Sequence, residues 1–232
     1  MNHRILRRHC LPLVVSTACL GFAGALHAQH VEVGDAGSSA TTAQATGSVS
    51  GQALTTIAGT ISATADADFY LISISDPSLF SATTVGGSLV DTQIYLFSFD
   101  GAPIYLNDDD AGGASLQSSL PAGSVLGPQT AGTYILGVSV SGVDPVNSSN
   151  QSLFAPATFS TDLRGPASNT FGTVAGVIDN ASFADFGDYS ITLSGAATVA
   201  VVPEPSTYAL LVAGGMLVGA AARRRRAFGA AA

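Results

Sequence analysis

The chain has 232 residues, with 16 acidic against 8 basic side chains, four histidines, two cysteines and no tryptophan. All the basic residues are arginines, and every one except Arg164 lies at positions 4–8 or 223–226, so residues 29–202 carry fifteen carboxylates against one arginine, a balance that repels nucleic acid and anionic lipid. Cys10, Cys19 and every histidine but His30 precede that segment, which excludes disulfides, thiol and Ser-His-Asp chemistry, lysine Schiff bases and histidine-built zinc sites from it.

At the N-terminus Arg4, Arg7 and Arg8 lead into an apolar run over residues 10–25. Leu26-His27-Ala28 before Gln29 offers a small residue for cleavage, and Ala23-Gly24-Ala25 is a second option. Residues 1–28 are therefore expected to be a secretory signal peptide, handled by the general secretion machinery and a signal peptidase. Ser16 stands where a lipoprotein leader would place an aliphatic residue before Cys19, so lipid anchoring is not expected.

Residues 29–202 suffice for one domain with its own core. Residues 69–75 and 93–99 read as strands, and Asp100-Gly101 before the run 103–106 is a hairpin signal. The acidic run Asn107, Asp108, Asp109, Asp110, followed by Gly112 and Gly113, lacks a later glutamate at calcium-loop spacing and reads as a solvated turn. In residues 134–140 Tyr134, Leu136, Val138 and Val140 alternate with Ile135, Gly137 and Ser139; in 188–194 Tyr189, Ile191 and Leu193 alternate with Ser190, Thr192 and Ser194. Such period-two patterns predict strands with one buried face. No helical period is visible before residue 207. The expected fold is all-β, an antiparallel β-sandwich of jelly-roll type with its aromatic residues in the core.

The C-terminus is organised differently. Pro203, Glu204, Pro205 and Ser206 form an extended segment that neither helix nor strand ladder can incorporate. Residues 207–222 follow without a charge, and then come Arg223, Arg224, Arg225 and Arg226. The uncharged run would span roughly 22 Å as a helix. That is short for a hydrocarbon core of ~30 Å, a deficit that snorkelling arginines and bilayer thinning can cover. A single transmembrane helix over about 207–222 is expected, with the arginines in the cytoplasm and residues 29–202 exported.

This order of parts resembles the PEP-CTERM sorting signal, whose bearers are substrates of membrane transpeptidases called exosortases. The resemblance implies transient anchoring in the inner membrane with the domain in the periplasm. It also implies cleavage near Pro205-Ser206 and transfer to the envelope, the cell surface or the extracellular space.

A second resemblance covers residues 31–141 and is carried by Glu32-Val33-Gly34-Asp35, the 57–62 run leading to Asp66-Ala67-Asp68-Phe69-Tyr70, the 91–97 strand with the Asp100-Gly101 turn, Asn107 to Asp110, and Ala131-Gly132-Thr133-Tyr134. In that order they are similar to the bacterial pre-peptidase C-terminal domain, a jelly-roll sandwich, with Gly187-Asp188-Tyr189 resembling its closing strand. Residues 142–186 would then be an insertion, rich in Ser, Asn, Gly and Pro. No peptidase domain precedes the module in this sequence, so it is expected to act alone. By this resemblance Glu32, Asp35 and Asp68, with Asp66 nearby, could hold calcium, which takes six to eight oxygen ligands; the same acids could equally cap turns.

Two functions are compatible with these features. The favoured one is a non-catalytic envelope or matrix protein associated with exopolysaccharide or biofilm, binding polysaccharide, matrix protein or its own kind. The alternative is a secreted glycan hydrolase using a carboxylate pair.

Overall fold

Alternating apolar side chains, short polar turns and the absence of a sustained helical period commit the domain to strands. The computed structural model describes residues 27–63, 65–113, 115–169, 171–181, 185–200 and 216. The predicted leader up to residue 26, and the predicted membrane helix and arginine cluster apart from position 216, lie outside these residues. Among the described residues no helix is long and apolar enough to cross a membrane.

The strands are β1 (Ala28–Val31), β2 (Gln44–Ala45), β3 (Ala53–Ile61), β4 (Ala67–Ile74), β5 (Ser81–Thr83), β6 (Thr92–Ser98), β7 (Pro103–Asn107), β8 (Ser119–Leu120), β9 (Gly132–Val140), β10 (Val143–Val146), β11 (Gly176–Asp179) and β12 (Gly187–Thr198), with one 3-10 turn at Pro77–Leu79. β4, β6, β7, β9 and β12 fall where the sequence places them, and Gly101, at φ +88°, closes the β6–β7 hairpin. Ala28, the last residue of the predicted leader, is the first of β1 and packs against the core.

Hydrogen-bonded neighbours follow the order β1-β3-β12-β4-β9-β6-β7. The sheet is mixed rather than purely antiparallel as expected, because β1 runs parallel to β3 and β2 parallel to β4. The chain between β1 and β3 returns along the sheet before re-entering it, and such a return makes a parallel pair. β12 pairs with β3 along one edge, while its other edge serves β5 before Gly195 and β4 after it. The register shift there is carried by Gly195 at φ +66°, where a Cβ would come within 2.7 Å of the Leu79 backbone. β5 continues to β8, and the Ser119 amide donates to the Asn107 side chain at 2.8 Å, bringing β8 against the end of β7. The β7 end of the sheet thus curls round to meet the β5–β8 branch from β12.

Inside the curl lies the larger core, including Leu54, Ile57, Ile72, Leu96, Leu136 and Ile191. A second core sits on the opposite face of β4, β6 and β9, where Phe69, Tyr95, Phe97 and Ile135 meet Leu153, Phe154 and Val174. The Phe154 ring lies 5.5 Å from that of Phe97 and 6.2 Å from that of Tyr95. The described residues of the 142–186 stretch, which reads as a polar insertion, therefore form a covering layer. They hold themselves in shape through Asn147, whose oxygen accepts from the Ser149 and Gln151 amides and whose Nδ2 donates to the Phe171 carbonyl. This corrects the one-sided reading of β9, whose Ile135, Gly137 and Ser139 are buried as well. β12 keeps the expected alternation, with Thr192 and Ser194 exposed.

If the covering layer contributes a core, Phe154→Ala should cost about 3–5 kcal/mol in urea unfolding. A loss within about 0.5 kcal/mol would mark residues 142–186 as an ordinary surface loop.

Candidate metal centre

β1 continues into Glu32, whose amide donates to the Ala58 carbonyl at 2.8 Å and so extends the parallel pairing. The Glu32 carboxylate is held from two sides: Oε1 accepts from the Ala36 amide at 3.2 Å and Oε2 from the Thr60 amide on β3 at 2.9 Å. The chain then turns through Gly34 at φ +72°, and Asp35 accepts from the Gly37 amide at 2.9 Å. Asp68, the second residue of β4, enters from below and is fully buried. One carboxylate oxygen from each of Glu32, Asp35 and Asp68 lies within 4.8 Å of the others. The two segments named from sequence converge here. Asp66 stands outside this group, because its Oδ2 accepts from the Ser62 amide at 2.6 Å and the Ser62 hydroxyl at 2.7 Å and closes the β3–β4 turn.

Two tyrosines, read from sequence simply as core, fix the orientation of Asp68. The Tyr189 hydroxyl donates to Asp68 Oδ2 at 2.7 Å and lies 2.5 Å from the Tyr70 hydroxyl. When Asp68 is ionised, Tyr189 gives its proton to the carboxylate and Tyr70 donates to Tyr189. This relay leaves Asp68 Oδ1 buried with no partner. Such an orphan costs about 1–3 kcal/mol, more if charged. Burial pushes the Asp68 carboxyl up to about 8 against the lowering effect of the Tyr189 hydrogen bond, and neighbouring Glu32, Asp66 and Asp35 push it further. Gly59 makes the arrangement possible, since a Cβ there would lie 2.4 Å from the Tyr189 hydroxyl and 2.7 Å from Glu32 Oε2.

The group fits a hard divalent cation. Its donors are carboxylate oxygens, the ligands that calcium takes and that softer metals do not prefer. Asp68 also carries a buried oxygen with no hydrogen-bond donor to balance it, in a group of three carboxylates. Above lies a cleft of roughly 510 Å3, lined by Glu32, Asp35, Thr60, Asp66 and Asp188 among others, with room for water to complete a coordination shell.

A second acidic group went unrecognised in the sequence. Asp91, just before β6, meets Asp108 and Asp109, just after β7, again with one oxygen of each within 4.8 Å of the others. The 107–110 run is not the solvated turn it resembles: the Asp109 amide donates to the Ser160 carbonyl at 3.0 Å and the Asp110 amide to the Gln117 carbonyl at 2.8 Å, which turns Asp108 inward. Asp91 Oδ1 and Asp108 Oδ1 are both buried without partners. Desolvation pushes the Asp91 carboxyl up to about 6, with Asp108, Asp109 and Asp185 adding to it, and raises Asp108 as well. The signal that could have found this group is the hairpin itself, because the pairing of Ile94 with Asn107 carries residue 91 toward residues 108–110.

Comparison with known proteins finds one family match. The PEP-CTERM protein-sorting motif matches residues 201–226, which contain Pro203, Glu204, Pro205, Ser206 and the four arginines. No curated protein and no solved structure matches the chain. The motif marks an exported protein, processed at the membrane, whose sorting signal is recognised by an exosortase, a membrane enzyme.

The raised carboxyls fix the sign of a pH dependence. Between the ordinary aspartate value of 3.8 and about 8, the unfolded chain loses a proton that folded Asp68 keeps. The metal-free domain should therefore lose stability as pH rises through that window, with Asp91 adding to the loss below about 6. Urea unfolding in chelator should show this decline, and Asp68→Asn should flatten its upper part. A wild-type stability that rises between pH 6 and 8 would contradict the assignment.

Proposed function

We propose that the chain is a non-catalytic envelope or matrix protein, sorted by an exosortase-type transpeptidase and associated with exopolysaccharide or biofilm. In this reading its domain is a sandwich of jelly-roll type, similar to pre-peptidase C-terminal domains, that binds polysaccharide or matrix protein. A C-terminal helix holds it in the inner membrane, facing the periplasm, until cleavage releases it toward the cell surface or the extracellular space. The observation that carries the reading is the sorting motif at 201–226 directly after an acidic, all-β domain.

Two features support the absence of catalysis. A glycan hydrolase needs a proton-donating carboxyl within reach of the glycosidic oxygen. Asp68 has the raised pKa of such a group but is fully buried and bonded to Tyr189, out of reach of a sugar polymer. The domain also has no tryptophan and one arginine for gripping a sugar.

Glu32, Asp35 and Asp68 are the residues that would hold calcium. Bound there, the ion would offset two of the three carboxylate charges and link the segment after β1 to β4. A ligand that binds only the folded state adds about 2.7 kcal/mol at a hundredfold excess over Kd. For a domain of this size that corresponds to a melting temperature roughly 5–10 °C higher. Millimolar calcium should produce that shift in residues 27–202, and Asp68→Asn should abolish it. Equal melting in calcium and in chelator would leave the acids as turn caps.

For sorting, the mature protein in its producing cell should end near Pro205-Ser206 by mass spectrometry. Replacing Arg223, Arg224, Arg225 and Arg226 with serine should slow processing, and altering Pro203, Glu204 and Pro205 should leave an uncut form. A mature, membrane-resident protein ending at Ala232 would mean a permanent anchor.

A further inference from the structure

The last residues of the domain are clasped by the loop between β2 and β3. The Thr198 amide donates to the Gln52 carbonyl at 2.8 Å and the Gly51 amide to the Thr198 carbonyl at 2.8 Å. The Thr198 hydroxyl donates to the Val49 carbonyl at 2.7 Å and accepts from the Gln52 amide at 3.1 Å. The Gly47 amide donates to the Val199 carbonyl at 3.1 Å, the Val199 amide to the Thr46 hydroxyl at 3.1 Å and the Ala200 amide to the Ser50 hydroxyl at 2.9 Å. Residues 198–200 are therefore fixed on the domain, and the matched motif begins at the very next position.

The tether is consequently short. Ser206 is six residues beyond Ala200, so at about 3.3–3.6 Å per residue it can lie no more than roughly 20 Å from the clasp. An enzyme that reads residues 203–206 must work within about the radius of a small domain from this rim. The rim is also uncharged. Ser48, Val49, Ser50, Gly51, Gln52 and Ala53 are all exposed, and no charged residue occurs in 36–65 or in 189–203, in a domain whose remainder is strongly acidic.

We propose that the uncharged rim of residues 48–53, beside the exit at Ala200, is the surface against which the sorting exosortase docks when it reads the motif. The inference rests on the sorting reading above and adds to it a contact outside the motif. The short tether brings the enzyme against this rim, and the clasp fixes residues 198–200, directly before the motif, on it. A protein docked on this rim buries no charged side chain of residues 48–53 and so does not meet the desolvation cost of one.

The test follows processing of the full chain by pulse-chase in the producing cell. Val49→Glu and Val49→Arg should each slow cleavage about tenfold, the scale of one buried interface residue. Inserting fifteen flexible Gly/Ser residues between Ala200 and Val201 should restore the rate in both variants, because the enzyme can then reach the motif without touching the rim. That rescue also excludes misfolding, which a spacer cannot repair. If only the glutamate slows cleavage, the rim faces an anionic lipid surface and the proposal is overturned. Unchanged rates in both variants, or no rescue by the spacer, overturn it as well. Failure of the wild-type chain to be cleaved at all would instead sink the sorting reading on which it rests.

Discussion

The antiparallel pairing of β12 with β3 is the interaction on which the fold, the metal centre and the C-terminal exit all depend. Its register sets Tyr189 opposite Gly59 and Asp188 opposite Thr60. Because Gly59 has no side chain, the Tyr189 hydroxyl can reach Asp68 while Glu32 approaches Thr60 from the other side. A slip of one residue would send Tyr189 to the outer face and leave both Asp68 oxygens without partners, since strand side chains alternate faces. The bulge at Gly195 then lets the same strand change neighbours from β5 to β4 and deliver residues 198–200 to the clasp. Most of the molecule's distinctive features lie within one residue or two of this strand pair.

What was legible in the sequence follows from how each feature is encoded. Strands with one wet face announce themselves by alternation, and β12, with Ser and Thr outward, is the clearest case. β9 carries the same alternation yet is buried on both faces, because its second face is covered by residues 142–186. That cover was hidden by composition: Ser, Asn, Gly and Pro signal turns, and only a few residues such as Leu153, Phe154 and Val174 do the packing. Parallel pairing of β1 and β2 was equally invisible, since period-two patterning does not encode strand direction.

The same distinction applies to the acids. Glu32, Asp35 and Asp68 could be brought together from sequence by resemblance, whereas Asp66, two positions from Asp68, was separated from them only by its bonds to Ser62. Tyr70 and Tyr189 gave no signal, because a buried tyrosine in a strand is ordinary core until its hydroxyl finds a carboxylate. Asp91 was lost among fifteen acidic residues. A domain with one arginine cannot neutralise its inward-facing carboxylates with ion pairs. Arg164, the single candidate, gives its Nη2 to Gln93 at 2.9 Å. Burial of carboxylates in such a chain is compensated by proton uptake or by a cation from outside, and both acidic groups bear the orphaned oxygens that follow.

The position of the pairing in the chain has a kinetic consequence. β3 and β12 are separated by more than a hundred residues, and strand pairing over such separations is slow because loop closure must precede the contacts that reward it. The clasp can form only once β12 has reached β3 and β4, since Thr198 lies on the same strand and pairs with both Gln52 and Ile72. Residues 198–200 therefore become fixed only once β12 is in place. The sorting motif starts one residue later, so its presentation at a fixed rim is coupled to completion of the domain: an unfolded exported chain would carry the motif on a long flexible tether, and a folded one carries it on a short tether beside an uncharged surface.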